Sequence, residues 1–382
     1  MASPYLSVIA ATRNDDHGGD LNRRTQIFID ALASQAARHR VPVELLIVEW
    51  NPPAERPRLA AAHRWPQDNP WLSVRIVTVP ADIHRRYRFS EAMPLYQMIA
   101  KNTGVRRASG RFVLVTNVDV VLSEPLFAWI ASQEGRPGVL YRCDRVDVER
   151  DVPLGAPLDE LLRFCESNVL RVWKRDATWV VAPGSRSRTL ADVTVRAGEQ
   201  ATSASRRFLL RLLSALPLAA FIFLDLRRAR AVLKRYGYRP TLRDWLQQVM
   251  VRWRPLPALH YNACGDFMLM DTASWSRIRG SPELEMFPTH HDSLTMVTAF
   301  REGIPVEELP ATFVHYHIEH GGGVTPEHSA ELHRRMNARG IPLLFHGHFV
   351  ALATRLLKDR TLFLSPQTWG LASDRLPETR VS

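Results

Sequence analysis

Residues 111–123 read Arg-Phe-Val-Leu-Val-Thr-Asn-Val-Asp-Val-Val-Leu-Ser, an apolar run that breaks to place Asn117 and Asp119 two positions apart. A short, β-branched apolar run between polar residues predicts a buried strand. An α/β sheet presents its ligand chemistry at the carboxyl ends of such strands. A carboxylate there can hold a hard divalent cation against a diphosphate. Taken alone, Asp119 serves equally well as a cap for the next turn.

The preceding sequence repeats the theme. Residues 5–12 predict a strand, and Ile27, Phe28, Ala31 and Leu32 recur at helical spacing. Val43–Val48 and Ser73–Val79 predict two more strands, and 91–108 a helix. Strands alternating with helices imply a mainly parallel sheet covered on both faces. The loop after the first strand, Thr12 to Arg24, is polar and carries Gly18-Gly19. A strand-to-helix loop of this kind brings backbone amides toward an anion. Glu49 closes the second strand, where a carboxylate can accept hydrogen bonds from a base or ribose. Lys101 and Asn102, on the helix before the Asp119 strand, are placed to meet phosphate or ribose, or else to end a solvated helix.

The chain has 382 residues, 46% of them hydrophobic and 23% charged, an ordinary globular composition. Cys143, Cys165 and Cys264 show neither disulfide nor zinc spacing, which fits a reducing compartment. The sequence enters its first apolar run with no basic leader, so we expect no signal peptide and a cytoplasmic protein. A net charge of +11 invites a nucleic-acid partner. The arginines are dispersed, however, and no nucleic-acid-binding signature stands out. Excess positive charge equally suits anionic lipid or a nucleotide-diphosphate substrate.

Residues 151–258 read as a largely helical insertion with no clear strand series. Leu212–Leu224 is uncharged and flanked by Arg206, Arg207, Arg227, Arg228, Arg230, Lys234 and Arg235. It is short of the roughly 20 apolar residues of a spanning helix. An in-plane anchor at the inner face of the cell membrane has this pattern, and so does a core helix with a basic rim. Residues 259–340 are compact and rich in motifs, and 341–382 form a tail with one apolar helix near 348–357.

Two further segments carry titratable groups. His291-Asp292-Ser293 opens an apolar helix, where a carboxylate is either a cap or a general base facing an acceptor hydroxyl. Residues 312–323 predict a strand in which His315 and His317 share one face, with His320 beyond its end; such histidines suit metal or phosphate contact.

In this order, Arg13-Asn14-Asp15, His17-Gly18-Gly19, Asn117-Val118-Asp119, Gly265-Asp266-Phe267, Trp275, Arg279-Gly280, His291-Asp292-Ser293 and His317-Ile318-Glu319-His320 resemble the GT-A fold glycosyltransferases related to family 2. The closest likeness is to a bacterial group found among surface-polysaccharide genes. The resemblance covers residues 5–150 and 259–328. It implies a GT-A, Rossmann-like α/β fold with the nucleotide-sugar half in 1–150 and the acceptor half in 259–340. It further implies an inverting, metal-dependent hexosyltransferase-type enzyme acting from a nucleotide-diphosphate sugar onto a glycan or lipid-linked hydroxyl. Thr12, Arg13, Asn14, Glu49, Asn102 and Asn117 would then bind the nucleotide. Asp119 would hold Mn2+ or Mg2+ with His317 and His320, His315 being an alternative ligand. Asp292 would be the catalytic base, and Asp266, Trp275 and His291 would face the acceptor. One departure is Asn117, which stands where the family's motif has an aspartate. The rival expectations are a nucleotidyltransferase and a non-enzymatic, membrane-associated component of a glycan-assembly system.

Overall fold

In the computed structural model, which describes residues 3–175, 177–181, 188–195, 256–321, 329–344 and 346–381, the apolar runs become the centre of an eight-stranded sheet. The strands are β1 (Leu6–Thr12), β2 (Val43–Trp50), β3 (Leu72–Val79), β4 (Phe112–Val115), β5 (Val120–Leu122), β6 (Leu140–Arg142), β7 (Asp144–Val148), β8 (Val169–Trp173), β9 (Thr178–Val181), β10 (Val193–Val195), β11 (Met268–Asp271), β12 (Val306–Glu308), β13 (Val314–Ile318) and β14 (Glu378–Arg380). The main sheet runs β12-β6-β11-β4-β1-β2-β3-β14. Strands β4, β1, β2 and β3 are parallel, while β11 lies antiparallel against β4. A second sheet runs β10-β9-β8-β7-β13-β5.

Among the described residues, the helices of seven residues or more are α1 (Leu21–His39), α2 (Gln97–Val105), α3 (Glu124–Ala131), α4 (Leu158–Ser167), α5 (Thr272–Ile278), α6 (His291–Arg301), α7 (Ser329–Ala338) and α8 (His346–Lys358). Every residue of β1 and β2 is buried, as expected of parallel strands covered on both faces. Alternation decides the face: Leu45 and Ile47 join one core with Phe28 and Leu32 of α1, while Leu46 and Val48 join another with Ile99 of α2 and Trp275 of α5. Helix α2 approaches closely because Gly104 has no Cβ; one there would lie 2.4 Å from Cγ2 of Ile9. Helix α1 also serves the second sheet, where Ile27 and Ala31 pack with Val121, Val146 and Tyr316. This mixed α/β arrangement, with helices on both faces of a mainly parallel sheet, is the GT-A, Rossmann-like architecture that the resemblance implies.

Three expectations are corrected. The helix expected over 91–108 is only Gln97–Val105, because Pro94 interrupts backbone hydrogen bonding ahead of it. The absence of a strand series expected over 151–258 does not hold in its described part, which has α4 but also β8, β9 and β10, extending the second sheet; these strands of five, four and three residues are too short to show a period, and residues 196–255 lie outside the described residues. The tail, expected to hold one helix near 348–357, also adds a strand: β14 pairs antiparallel with β3 and closes that edge. Residues 206–235 lie outside the described residues. No described helix is long and apolar enough to cross a membrane.

Candidate active site

The carboxyl ends of the parallel strands form one side of the site. Thr12 of β1 stands opposite Glu49 of β2, which stands opposite Thr78 of β3. Thr12 Oγ1 accepts the Asn14 backbone N–H at 3.2 Å. Asn14 has φ 59°, a left-handed conformation that asparagine tolerates. Its amide nitrogen donates to Pro57 O at 2.8 Å, whereas its buried Oδ1 has no hydrogen-bond partner among the described residues. Arg13 donates to Asn51 O at 2.9 Å and pairs with Asp15 at 3.2 Å. Glu49 is saturated internally: Leu59 N–H donates to Oε1 at 2.6 Å, and Arg58 Nε donates to Oε2 at 2.9 Å.

Asp119 lies between β4 and β5, 6% exposed. His317 of β13 pairs with Val120 of β5, so its ring comes beside Asp119, with Nε2 3.8 Å from Oδ2. Nε2 of His320 lies 3.4 Å from the same oxygen. The loop after β1 approaches His320 only because residue 18 is glycine: a Cβ there would sit 2.4 Å from His320 Nδ1. Asp119, His317 and His320 thus offer one oxygen and two nitrogens within 4.8 Å of one another. This donor set fits a divalent cation of the manganese type. Burial opposes ionisation of Asp119, but the imidazoles of His317 and His320 and the guanidinium of Arg24 outweigh it and hold the carboxyl below its ordinary range. Burial pushes His320 down to about 3 against the opposing pull of the Asp119 carboxylate.

Sequence reasoning missed Arg24. Its Nη1 lies 2.5 Å from Asp119 Oδ2, and its Nη2 donates to His17 O at 2.5 Å, tying the glycine loop to the carboxylate. Asp119 Oδ1 is buried without a hydrogen-bond partner among the described residues, so the carboxylate retains capacity for a cation. The signal for Arg24 was in the sequence: an arginine on the helical stripe of Leu21 and Phe28, buried to 2% exposure.

The third side is built by the turn before β11. Asn117 donates to Asp266 Oδ1 and accepts from Gln97 at 3.1 Å. Arg145 Nη1 donates to Asp266 Oδ2 at 2.5 Å. Burial opposes ionisation of Asp266, but Arg145 leads the charges that bring it down to about 2. Buried Lys101 donates to Gly265 O at 3.0 Å. Its charge is felt by Asp266, Asp292 and Asp119 together, although burial still lowers its pKa. Asp292 opens α6; its Oδ1 accepts the Ser293 N–H at 2.8 Å, and its Oδ2 stands 3.0 Å from where a Cβ on Gly265 would be.

The fold does not bring every expected residue to this cleft. Trp275 is completely buried and donates to Val113 O at 3.0 Å; it fills the core under β4 and offers no face to an acceptor. Asn102 is spent on the turn after α5, donating to Ser281 O at 2.8 Å and to Glu283 at 2.9 Å. His291 is 1% exposed, and burial brings it down to about 3. His315 packs on Phe267 and contacts Cys143 Sγ at 3.2 Å, one residue pair along β13 from the cluster.

No protein-family model matches the chain, and no curated protein matches it. Among solved structures, S. aureus TarS 1–349 aligns over 92% of this chain and 69% of that chain, at 13% identity and a TM-score of 0.36. The S. aureus TarS 1–349 complex with UDP gives the same coverages at 14% identity and a TM-score of 0.34. A longer S. aureus TarS chain is covered over 38% of its length, at 15% identity and a TM-score of 0.31. Overlays this loose carry no argument about activity.

Proposed function

We propose that this chain is an inverting, cation-assisted glycosyltransferase that moves a sugar from a nucleotide-diphosphate sugar to a hydroxyl of a glycan or lipid-linked acceptor. The observation that carries this reading is the Asp119–His317–His320 cluster, with Thr12 and Glu49 paired at the neighbouring strand ends and Lys101 hydrogen-bonded to Gly265, which borders Asp292. A nucleotide base or ribose would meet the unpaired Oδ1 of Asn14, with Arg13, Asn14 and Thr12 forming the donor wall. Glu49 would act through the Arg58 side chain and Leu59 amide that it fixes. Asp119, His317 and His320 would hold the divalent cation, manganese or magnesium. When bound, that cation supplies a Lewis acid for the leaving diphosphate.

The remaining chemistry falls to the chain. Asp292 removes the acceptor hydroxyl proton as the new glycosidic bond forms and the bond to the diphosphate breaks. Asp266, held by Asn117 and Arg145, positions the acceptor side. Lys101 offsets the charge of three neighbouring carboxylates. By the resemblance, the reaction belongs to bacterial surface-polysaccharide or glycolipid synthesis at the cytoplasmic face of the cell membrane. The test is product analysis with Asp292→Asn. Wild-type protein should release a nucleoside diphosphate, whereas a nucleotidyltransferase would release pyrophosphate. The variant should keep nucleotide binding and lose transfer; unchanged turnover would remove Asp292 from the mechanism.

A further inference from the structure

His317 has a second neighbourhood on the side away from Asp119. Across the second sheet, Arg171, Asp147 and His317 occupy one row: His317 is the register partner of Asp147, and Asp147 that of Arg171. Asp147 is completely buried and its carboxylate is fully engaged. Oδ1 accepts from Arg145 Nε at 2.6 Å, and Oδ2 accepts from Arg171 Nε at 2.5 Å and from Trp173 Nε1 at 2.8 Å. So many donors hold the group in one orientation and in its ionised form.

His317 Nδ1 faces two groups that make opposite demands. Asp147 Oδ1, at 3.2 Å, can only accept a proton. Arg145 Nη2, at 3.0 Å, can only donate one. A neutral imidazole carries its proton on one nitrogen alone. If Nδ1 donates to Asp147, the lone pair is on Nε2, which faces Asp119 and His320. If Nδ1 accepts from Arg145, the proton is on Nε2, and His317 cannot be a ligand.

We propose that Asp147 is a positioning residue: it selects the His317 tautomer whose Nε2 lone pair faces the Asp119–His317–His320 cluster, and so sets the affinity of that cluster for a divalent cation. This rests on the reading of those three residues as cation ligands. A carboxylate behind a ligating histidine fixes its ring and raises its basicity, and removing one costs about 10–100-fold in metal affinity. The Arg145 guanidinium that opposes the selection also binds Asp266, so acceptor side and cation side share one positioning group.

The test is manganese binding, read by the loss of the free Mn2+ electron paramagnetic resonance signal, in wild type, Asp147→Asn, His317→Gln and the double variant. In Asp147→Asn the amide that replaces the carboxylate can donate to Nδ1 and so favours the wrong tautomer. Each single variant should bind manganese about 10–100-fold more weakly, and the double variant no more weakly than His317→Gln. Wild-type affinity in Asp147→Asn, or independent losses that multiply in the double variant, would overturn the relay alone. A wild-type protein that binds no manganese would remove the cation reading and the relay with it. Should Asp147→Asn fail to fold, two-bond 1H–15N histidine spectra of the unsubstituted protein with zinc give the answer, with His317 assigned from His317→Gln. A proton on Nδ1 supports the relay; a proton on Nε2 overturns it.

Discussion

The two sheets bury different chemistry: β1 and β2 are buried at every position, whereas β7, β8 and β9 mix buried and half-buried ones. In β1 and β2 the interior is mostly hydrocarbon, shared with α1 on one face and α2 and α5 on the other, with Glu44 and Glu49 as its buried charges. In β7, β8 and β13 the interior holds Arg145, Asp147, Arg171 and His317, joined into one ionic network, with His315 buried beside them. Burying apolar side chains stabilises a fold outright. Buried ion pairs roughly repay their own desolvation, so they contribute orientation more than stability. The first sheet supplies the apolar core, and the second holds His317 beside Asp119 and Arg145 against Asp266.

That division can be broken experimentally, beginning with the largest effect. Asp292→Asn, at the partly exposed start of α6, should reduce transfer by about 10²–10⁴-fold, the usual weight of a general base. Its melting temperature should stay near that of wild type; steady-state rates and a thermal melt check both. Leu46→Ala, at a fully buried position of β2, should do the reverse. It should cost about 2–5 kcal/mol in urea unfolding, with kcat per folded molecule unchanged. A large loss of kcat in Leu46→Ala would erase the distinction between the sheets.

Acid should weaken the charged sheet through its histidines. Burial brings His315 down to about 3 and His260, beside β7, to about 3, against about 6.5 in an unfolded chain. The native state therefore refuses a proton that the unfolded state accepts. Stability is lost as pH falls below about 6.5, by up to about 1.4 kcal/mol per pH unit for each such histidine, and the loss ends near pH 3. His315→Gln should flatten that slope between about pH 6.5 and 5 in urea melts; an unchanged slope would clear His315. The smallest effect belongs to the edge of the main sheet, where Glu378 of β14 pairs with Arg75 at 2.7 Å and is a third exposed. Glu378→Gln should cost less than about 1 kcal/mol and leave activity alone.

The same contrast explains what could be read from the sequence. The strands of the main sheet's parallel core are mostly apolar, broken only at single positions such as Ser7, Glu44 and Arg75, and each lies where its run placed it. Asp119, His317 and His320 came together because strand ends converge on one edge of the cleft. Strands β7 and β8 were invisible because Arg145, Asp147 and Arg171 are interspersed with valine and look like a solvated segment until partners on other strands are known, and β9 and β10, of four and three residues, are too short to show a period. Trp275 and Asn102 sit within motif-bearing segments, yet both turn inward. Nearness along the chain does not reveal which way a side chain points. Arg24 was hidden for the opposite reason, as a charge on an otherwise apolar helix face.

The most direct test of the central claim is a thermal-shift titration of wild type and Asp119→Ala with nucleoside diphosphates, each with and without manganese. Selective binding to the folded state raises the melting temperature by mass action. The expected result is a manganese-dependent rise with one nucleoside diphosphate in wild type, absent in Asp119→Ala. No rise with any nucleotide, or an equal rise in Asp119→Ala, would contradict a cation-assisted nucleotide-sugar site at Asp119.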